Sequence, residues 1–206
     1  MAVPGAIMTG VFLTAGAPEL DRATDVAEAL AAIAAVPFGD DALERDRILM
    51  THLIDGRSDA AVRAARPGHL TGSAFVVDSS AERALLLFHT KLQRWLQPGG
   101  HADGDTNLAA VALKEATEES GIEGLRVWSD PIDLDIHRVA PPKEDPHLHL
   151  DLRYLVVAPP GAEPAGNEES QALRWVPEAE LVTYDVDAGL LRLARSAFTL
   201  ARSLPA

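Results

Sequence analysis

The sequence predicts an α/β fold of the α+β kind: a mixed β-sheet with helices packed against it. Three observations point there: an alanine-rich helical stretch before Met50, short apolar runs bounded by turn residues from Ser73 onward, and one sharply delimited helix from Leu108 to Ser120. Strands and helices do not alternate regularly, which disfavours a doubly wound parallel sheet. With 206 residues, 47% of them hydrophobic and 24% charged, the chain can bury a substantial core in one main domain.

Taken in order, Ala6 to Ala17 is apolar and contains Ala15-Gly16-Ala17, which has the look of a signal cleavage site. No Lys or Arg precedes it, Arg22 being the first basic residue, and Pro4, Gly5 and Gly10 break the early part. The expectation is therefore a cytoplasmic protein. No run approaches the ~18 apolar residues of a membrane span.

From Pro18 to Met50 the pattern predicts two helices, parted by Pro37-Phe38-Gly39-Asp40, with Asp40 or Asp41 capping the second. Arg57 to Pro67 is expected to add a short third helix. Residues 1–67 thus read as an N-terminal helical extension without chemistry of its own, packed on a core domain of residues 68–206. Such an extension covers the sheet or forms a homodimer contact.

Ser73 to Val77 and Ala84 to Phe88 read as strands joined by a turn at Asp78-Ser79-Ser80, and Trp95-Leu96 as a strand that ends in a Gly99-Gly100 loop. The helix Leu108 to Ser120 carries an apolar stripe of Leu108, Val111 and Ala112; Asp105, Thr106 or Asn107 caps its start, and Gly121 suits the left-handed residue that ends it. Strands are expected at Leu125 to Trp128, Ile132 to Val139, Leu148 to Val157 and Ala172 to Val176, then a loop-like Pro159 to Glu169 between the last two, and a final helix over Asp187 to Arg202. Trp95, Trp128 and Trp175 are expected mainly in the core.

Composition restricts the chemistry. Cysteine is absent, so a metal must take oxygen or imidazole ligands. The net charge of -13, with no Lys/Arg cluster, opposes nucleic-acid binding. A small phosphate-bearing substrate stays compatible, since a divalent cation reverses the local field.

Glu115, Glu118 and Glu119 stand at i, i+3 and i+4 and share one helix face. Like charges so placed cost a few tenths of a kcal/mol per pair, and carboxylates in a last turn oppose the helix dipole by ~0.3–1 kcal/mol. A hard divalent cation, Mg²⁺ or Mn²⁺, converts that repulsion into coordination. The Gly99-Gly100 loop lets a backbone carbonyl approach the same ion.

The segment Gly100 to Ile122 resembles the Nudix hydrolase signature: Gly, five residues, Glu, seven residues, Arg-Glu, an aliphatic residue, any residue, Glu-Glu, any residue, Gly, aliphatic. Gly100, Glu115, Glu118-Glu119 and Gly121-Ile122 fill their places. Gly68-His69-Leu70-Thr71 and Arg174-Trp175-Val176-Pro177 agree with a bacterial branch of that superfamily, and the resemblance runs from Gly68 to about Leu193. It implies a Nudix-like α/β/α sandwich and a metal set of Gly100, Glu115, Glu118 and Glu119.

Three positions depart from the signature. Thr106 stands where the first glutamate belongs, so Asp105 or Asp103 would have to substitute; Lys114 replaces arginine and loses its bidentate fork; Ala116 replaces a larger aliphatic residue. The resemblance implies attack of water on phosphorus in a nucleoside diphosphate linked to another moiety. Glu118 or Glu119 helps to deprotonate that water, and Glu169, beside Glu168, is a further candidate base.

His147, His149 and Asp151 share one face of a strand, with Arg153 next. They are candidate substrate contacts, as is His101 directly after the glycine loop, while imidazoles at this spacing can also hold a transition metal. Thr106 and Lys114 lend weight to a competing reading, a nucleotide-binding module that has lost turnover. A prenyl diphosphate isomerase, also within the superfamily, is disfavoured by the lack of cysteine.

Overall fold

The computed structural model describes residues 10–141, 144–165 and 170–204. A long central pair organises the sheet. Strand β2 (Gly68–Val77) runs parallel to β8 (His147–Val157), in register from Gly68↔Leu148 to Val77↔Val157. β2 is buried along its whole length, which its unbroken apolar second half anticipates.

Shorter strands flank this pair. β7 (Asp133–Val139) and β6 (Arg126–Trp128) lie antiparallel to β8, and β1 (Phe12–Thr14) closes the edge beside β6. On the other side β2 meets β3 (Arg83–His89) only at Val77↔Ala84 and β5 (Gly99–His101) at Thr71 to Ser73. β4 (Arg94–Leu96) and β9 (Ser170–Pro177) both pair with β3. The sheet is mixed, as the element pattern predicts.

Strand parity sorts the core into two layers. Leu70, Ala74 and Val76 of β2, with Leu150, Leu152 and Tyr154 of β8, face α1 (Val26–Ala35), α2 (Asp41–Ile54) and α3 (Leu108–Ser120). Phe75, Val77 and Leu155 face α4 (Ala188–Ser203) through Leu190, Leu193 and Phe198. Asp25, Asp40, Asn107 and Asp187 each accept a backbone N–H at a helix start, about 1 kcal/mol per cap.

The helical extension shares the core rather than sitting beside it: Ile33, Met50 and Ile54 belong to the same cluster as Leu70 and Leu150. Arg47 ties its two helices together by donating to Ile33 O, Val36 O and Pro37 O at the end of α1. Among the described residues no helix is long and apolar enough to cross a membrane.

Three expectations change. Residues 57–67 form turns, not a third helix, because Ala60 O accepts Leu70 N at 2.8 Å and so leaves the local helical ladder. Gly99-Gly100-His101 is a strand rather than a loop, since β2 extends back to Gly68 and offers an edge to it. Phe12–Thr14 is a strand supplied by pairing with β6, which no local pattern announces. Trp128 lies in the core against Phe12, and Trp95 packs edge-on between Phe88 and Tyr184.

Candidate functional site

Helix α3 is seated on β2 by a close approach: a Cβ at Gly72 would stand 2.9 Å from Leu108 O and 3.1 Å from Val111 Cβ. Asn107 anchors its start, accepting from Ala110 N while donating to Glu19 O and Asp21 O of the extension. Gly121, at φ 66°, ends it. Both ends being fixed, the last turn presents its carboxylates at a defined place.

Glu119 is buried, 7% exposed, and accepts a hydrogen bond from Gly99 N at 2.9 Å. Glu115 lies against the next residue of the same strand: a Cβ at Gly100 would fall 2.5 Å from its Cδ and Oε2. Glu118 is the most open, with its side chain 57% exposed. The structure therefore sets Glu119 against Gly99 and Glu115 against Gly100 of β5, with Glu118 joined to Glu115 through Lys114.

Lys114 lies between two of them. Its Nζ is 3.0 Å from Glu115 Oε1 and 3.2 Å from Glu118 Oε2. The hydrogen bond to Glu115 and that carboxylate's charge, followed by the contact with Glu118, hold the ammonium above its ordinary pKa range. An ammonium bridging two carboxylates marks where positive charge is wanted, and the all-oxygen donor set, with the Glu115 carboxylate drawn against Gly100, fits a hard divalent cation.

A cavity of about 540 Å³ opens beside this face, within the usual range for small-molecule sites. Glu115, Glu118, Lys114, His101 and Asp103 line it, and so does Arg22 from the helical extension. Sequence reasoning passes over Arg22; no local signal distinguishes it from a surface cation. Its Nη2 donates to Asp103 O at 3.2 Å, which fastens the loop that leads into α3.

The position of the missing glutamate is now specific. Thr106 is 4% exposed, and its Oγ1 has no hydrogen-bond partner among the described residues. Asp105 spends one carboxylate oxygen on Ala23 N and Asn107 N, which makes it part of the loop's scaffold. Asp103, also on the cavity wall, is the alternative acidic group. Glu168 and Glu169, the latter a candidate base, lie outside the described residues.

Asp151 and Arg153 are not among the residues that line this cavity. Asp151, 1% exposed, accepts from Thr71 Oγ1, Ser73 Oγ and Arg153 Nε, each at 2.9 Å. Arg153, 4% exposed, also meets Asp133 at 3.3 Å and Asp135 at 3.2 Å, and Arg192 of α4 closes the group from above. The expected substrate contacts, or surface ion pair, are instead a buried network of three aspartates and two arginines. Burial is the reason: α4 covers this part of the sheet.

His101 and His149 belong to a different constellation. Five of the chain's seven histidines gather at the open end of the same sheet face. The His69 ring centroid lies 5.2 Å from that of His101 and 5.0 Å from those of His147 and His149; His137 is 5.2 Å from His149. Burial lowers the His101 pKa and takes His69 down to about 4. His149 falls to about 2, through burial and then the neighbouring His137. His69, His101 and His149 are thereby held uncharged at neutral pH and bring no positive charge to a phosphate.

Residues 69–196 match the family described as NUDIX domain. Among solved structures, an Ap4A hydrolase of C. elegans, crystallised as a binary complex, is 16% identical, with a TM-score of 0.50 over 66% of this chain and 98% of that one. The E. coli dihydroneopterin triphosphate pyrophosphohydrolase is 13% identical, with a TM-score of 0.51 over 65% of this chain and 97% of that one. At these identities the likeness is one of fold. No curated protein matches the chain in sequence.

Proposed function

The chain belongs to the NUDIX family, and on that premise we propose that it is a Mg²⁺- or Mn²⁺-dependent hydrolase of a phosphoanhydride bond in a nucleoside diphosphate linked to another moiety. What supports the reading is the set of carboxylates on one face of α3: Glu119 against Gly99 and Glu115 against Gly100, with Glu115 and Glu118 on the wall of the cavity.

A divalent cation held by these carboxylates and the Gly100 carbonyl would neutralise the anhydride oxygens and acidify a water. The chain's own groups do the rest. Glu119 is kept in place by Gly99 N–H, and Glu115 by the closeness of Gly100. Glu118 accepts the proton as the water oxygen bonds to phosphorus. The P–O anhydride bond then breaks, and its electron pair leaves with the departing phosphate. Lys114 and Arg22 supply cationic contacts for the substrate's phosphates.

A panel of dinucleoside polyphosphates, sugar nucleotides and oxidised nucleoside triphosphates, offered with Mg²⁺ or Mn²⁺, tests this. The expected result is release of a nucleoside monophosphate, pyrophosphate or orthophosphate. The unfilled Thr106 position favours one other reading, a nucleotide-binding module without turnover; binding with no release from any substrate would establish it in place of the hydrolase.

Gly100→Ala probes the metal geometry without touching a charge. The added methyl displaces the Glu115 carboxylate, so the Mg²⁺ concentration for half-maximal rate should rise roughly ten-fold or more, with the thermal melt little changed. Unaltered Mg²⁺ dependence would place the ion elsewhere.

A further inference from the structure

We propose that His69, His147 and His149 form a binding site for a transition-metal dication, Zn²⁺ in particular, distinct from the carboxylate site on α3. Nothing in this inference depends on the hydrolase reading.

The strand register builds the site. His69 on β2 is paired with His149 on β8, and His147 lies two residues earlier on the same face of β8. One ring nitrogen from each of the three lies within 4.8 Å of the others. A tetrahedral zinc site brings imidazole nitrogens to about 3.3 Å from one another at Zn–N lengths of ~2.0–2.1 Å. Rotation of the rings covers that difference.

The second observation is the state of the ring nitrogens. His69 is 0% exposed, and neither its Nδ1 nor its Nε2 has a hydrogen-bond partner among the described residues. His147 is 3% exposed, and its Nε2 is likewise without one. Buried polar atoms are rarely left so. The other nitrogen of His147 explains its tautomer. Nδ1 sits 2.7 Å from Asp145 O, a carbonyl that only accepts, so Nδ1 carries the hydrogen and Nε2 presents its lone pair to the cluster. A ligating histidine fixed through its far nitrogen by a carbonyl is a recurrent arrangement in metal sites.

Ligand chemistry selects the ion. Neutral imidazoles suit Zn²⁺ and its neighbours Co²⁺, Ni²⁺ and Cu²⁺, whereas Mg²⁺ takes oxygen. His69 and His149, paired across β2 and β8, hold their ring centroids 5.0 Å apart. His101, whose ring is 5.2 Å from both, is positioned to supply a fourth ligand. His137 is committed elsewhere, with Nδ1 3.1 Å from Asp135 Oδ2.

The test uses the full chain, stripped of metal and held in excess Mg²⁺ so that the carboxylates are occupied. Titration calorimetry should show uptake of a single equivalent of Zn²⁺, and Co²⁺ in its place should give the intense visible spectrum of four-coordinate cobalt. His69→Asn, His147→Asn and His149→Asn should each weaken Zn²⁺ binding by about 100-fold and abolish that spectrum, whereas Glu118→Gln should leave both intact. Should a histidine variant fail to fold, X-ray absorption of the zinc-loaded parent protein reads the same point through its imidazole shell. No stoichiometric uptake, a six-coordinate cobalt spectrum, an all-oxygen zinc shell, or variants that bind as well as the parent would each overturn the proposal.

Discussion

Glu119→Gln is expected to reduce kcat roughly a thousand-fold, the ~4 kcal/mol that one preorganised charge contributes in a site of this kind. The substitution keeps size and shape, and the new amide oxygen can still accept from Gly99 N. The negative charge is lost, and one acceptor oxygen becomes an NH2 donor. Glu118→Gln should fall by a comparable factor through its proton-accepting role. Its stability should move by no more than about 0.5 kcal/mol, because the Lys114 contact it weakens is exposed. Initial rates on the best substrate of the panel, set beside thermal melts, make the comparison. Wild-type kcat in both variants would remove the α3 carboxylates from the mechanism.

Arg153→Met should have the largest effect on stability. Arg153 is the shared partner of Asp133, Asp135 and Asp151, and it is buried with Asp133 and Asp151. Removing one side of a buried ion network leaves charge uncompensated, at about 3–5 kcal/mol, or a Tm lower by about 10 °C or more in a domain of this size. Arg192→Met should cost less, since its side chain is 22% exposed and water can replace part of what it provides. Equal melting points for Arg153→Met and the parent would refute the account.

The same network predicts an acid limb. Burial raises the Asp135 carboxyl, but the hydrogen bond with His137 and the charges of Arg153 and Arg192 outweigh it and bring the pKa to about 2. The unfolded chain binds that proton more readily, so the stabilisation is complete above about pH 4 and is lost as pH falls towards 2. Urea melts across that interval should show the decline, and Asp135→Asn should flatten it.

Local signals carried the parts of this molecule that are local. The one-turn spacing of Glu115, Glu118 and Glu119, the terminating Gly121 and a cap at Asp40 or Asp41 are each written within a few residues, and the helices they define appear where expected, with Asp40 as the cap. Register across strands is not local. His69 looks unremarkable beside Gly68 until β2 is laid parallel to β8, and only then does it face His147 and His149. The ion network has the same origin, since Asp133 and Arg153 meet through β7 and Arg192 arrives from α4. Residues 57–67 mislead in the opposite direction: their alanines favour a helix, but the bond from Leu70 N to Ala60 O overrides that preference.

The parallel pairing at the centre of the sheet also constrains how the chain is made. Thr71 and its hydrogen-bonded partner Asp151 are 80 positions apart, so a nascent polypeptide emerging from the ribosome carries β2 for a long interval before β8 can join it. Contacts of such sequence separation form slowly, and an unpaired apolar ribbon is a template for other chains. Recovery of active protein should therefore depend on dilution and chaperone supply during synthesis far more than on the equilibrium stability of the finished fold.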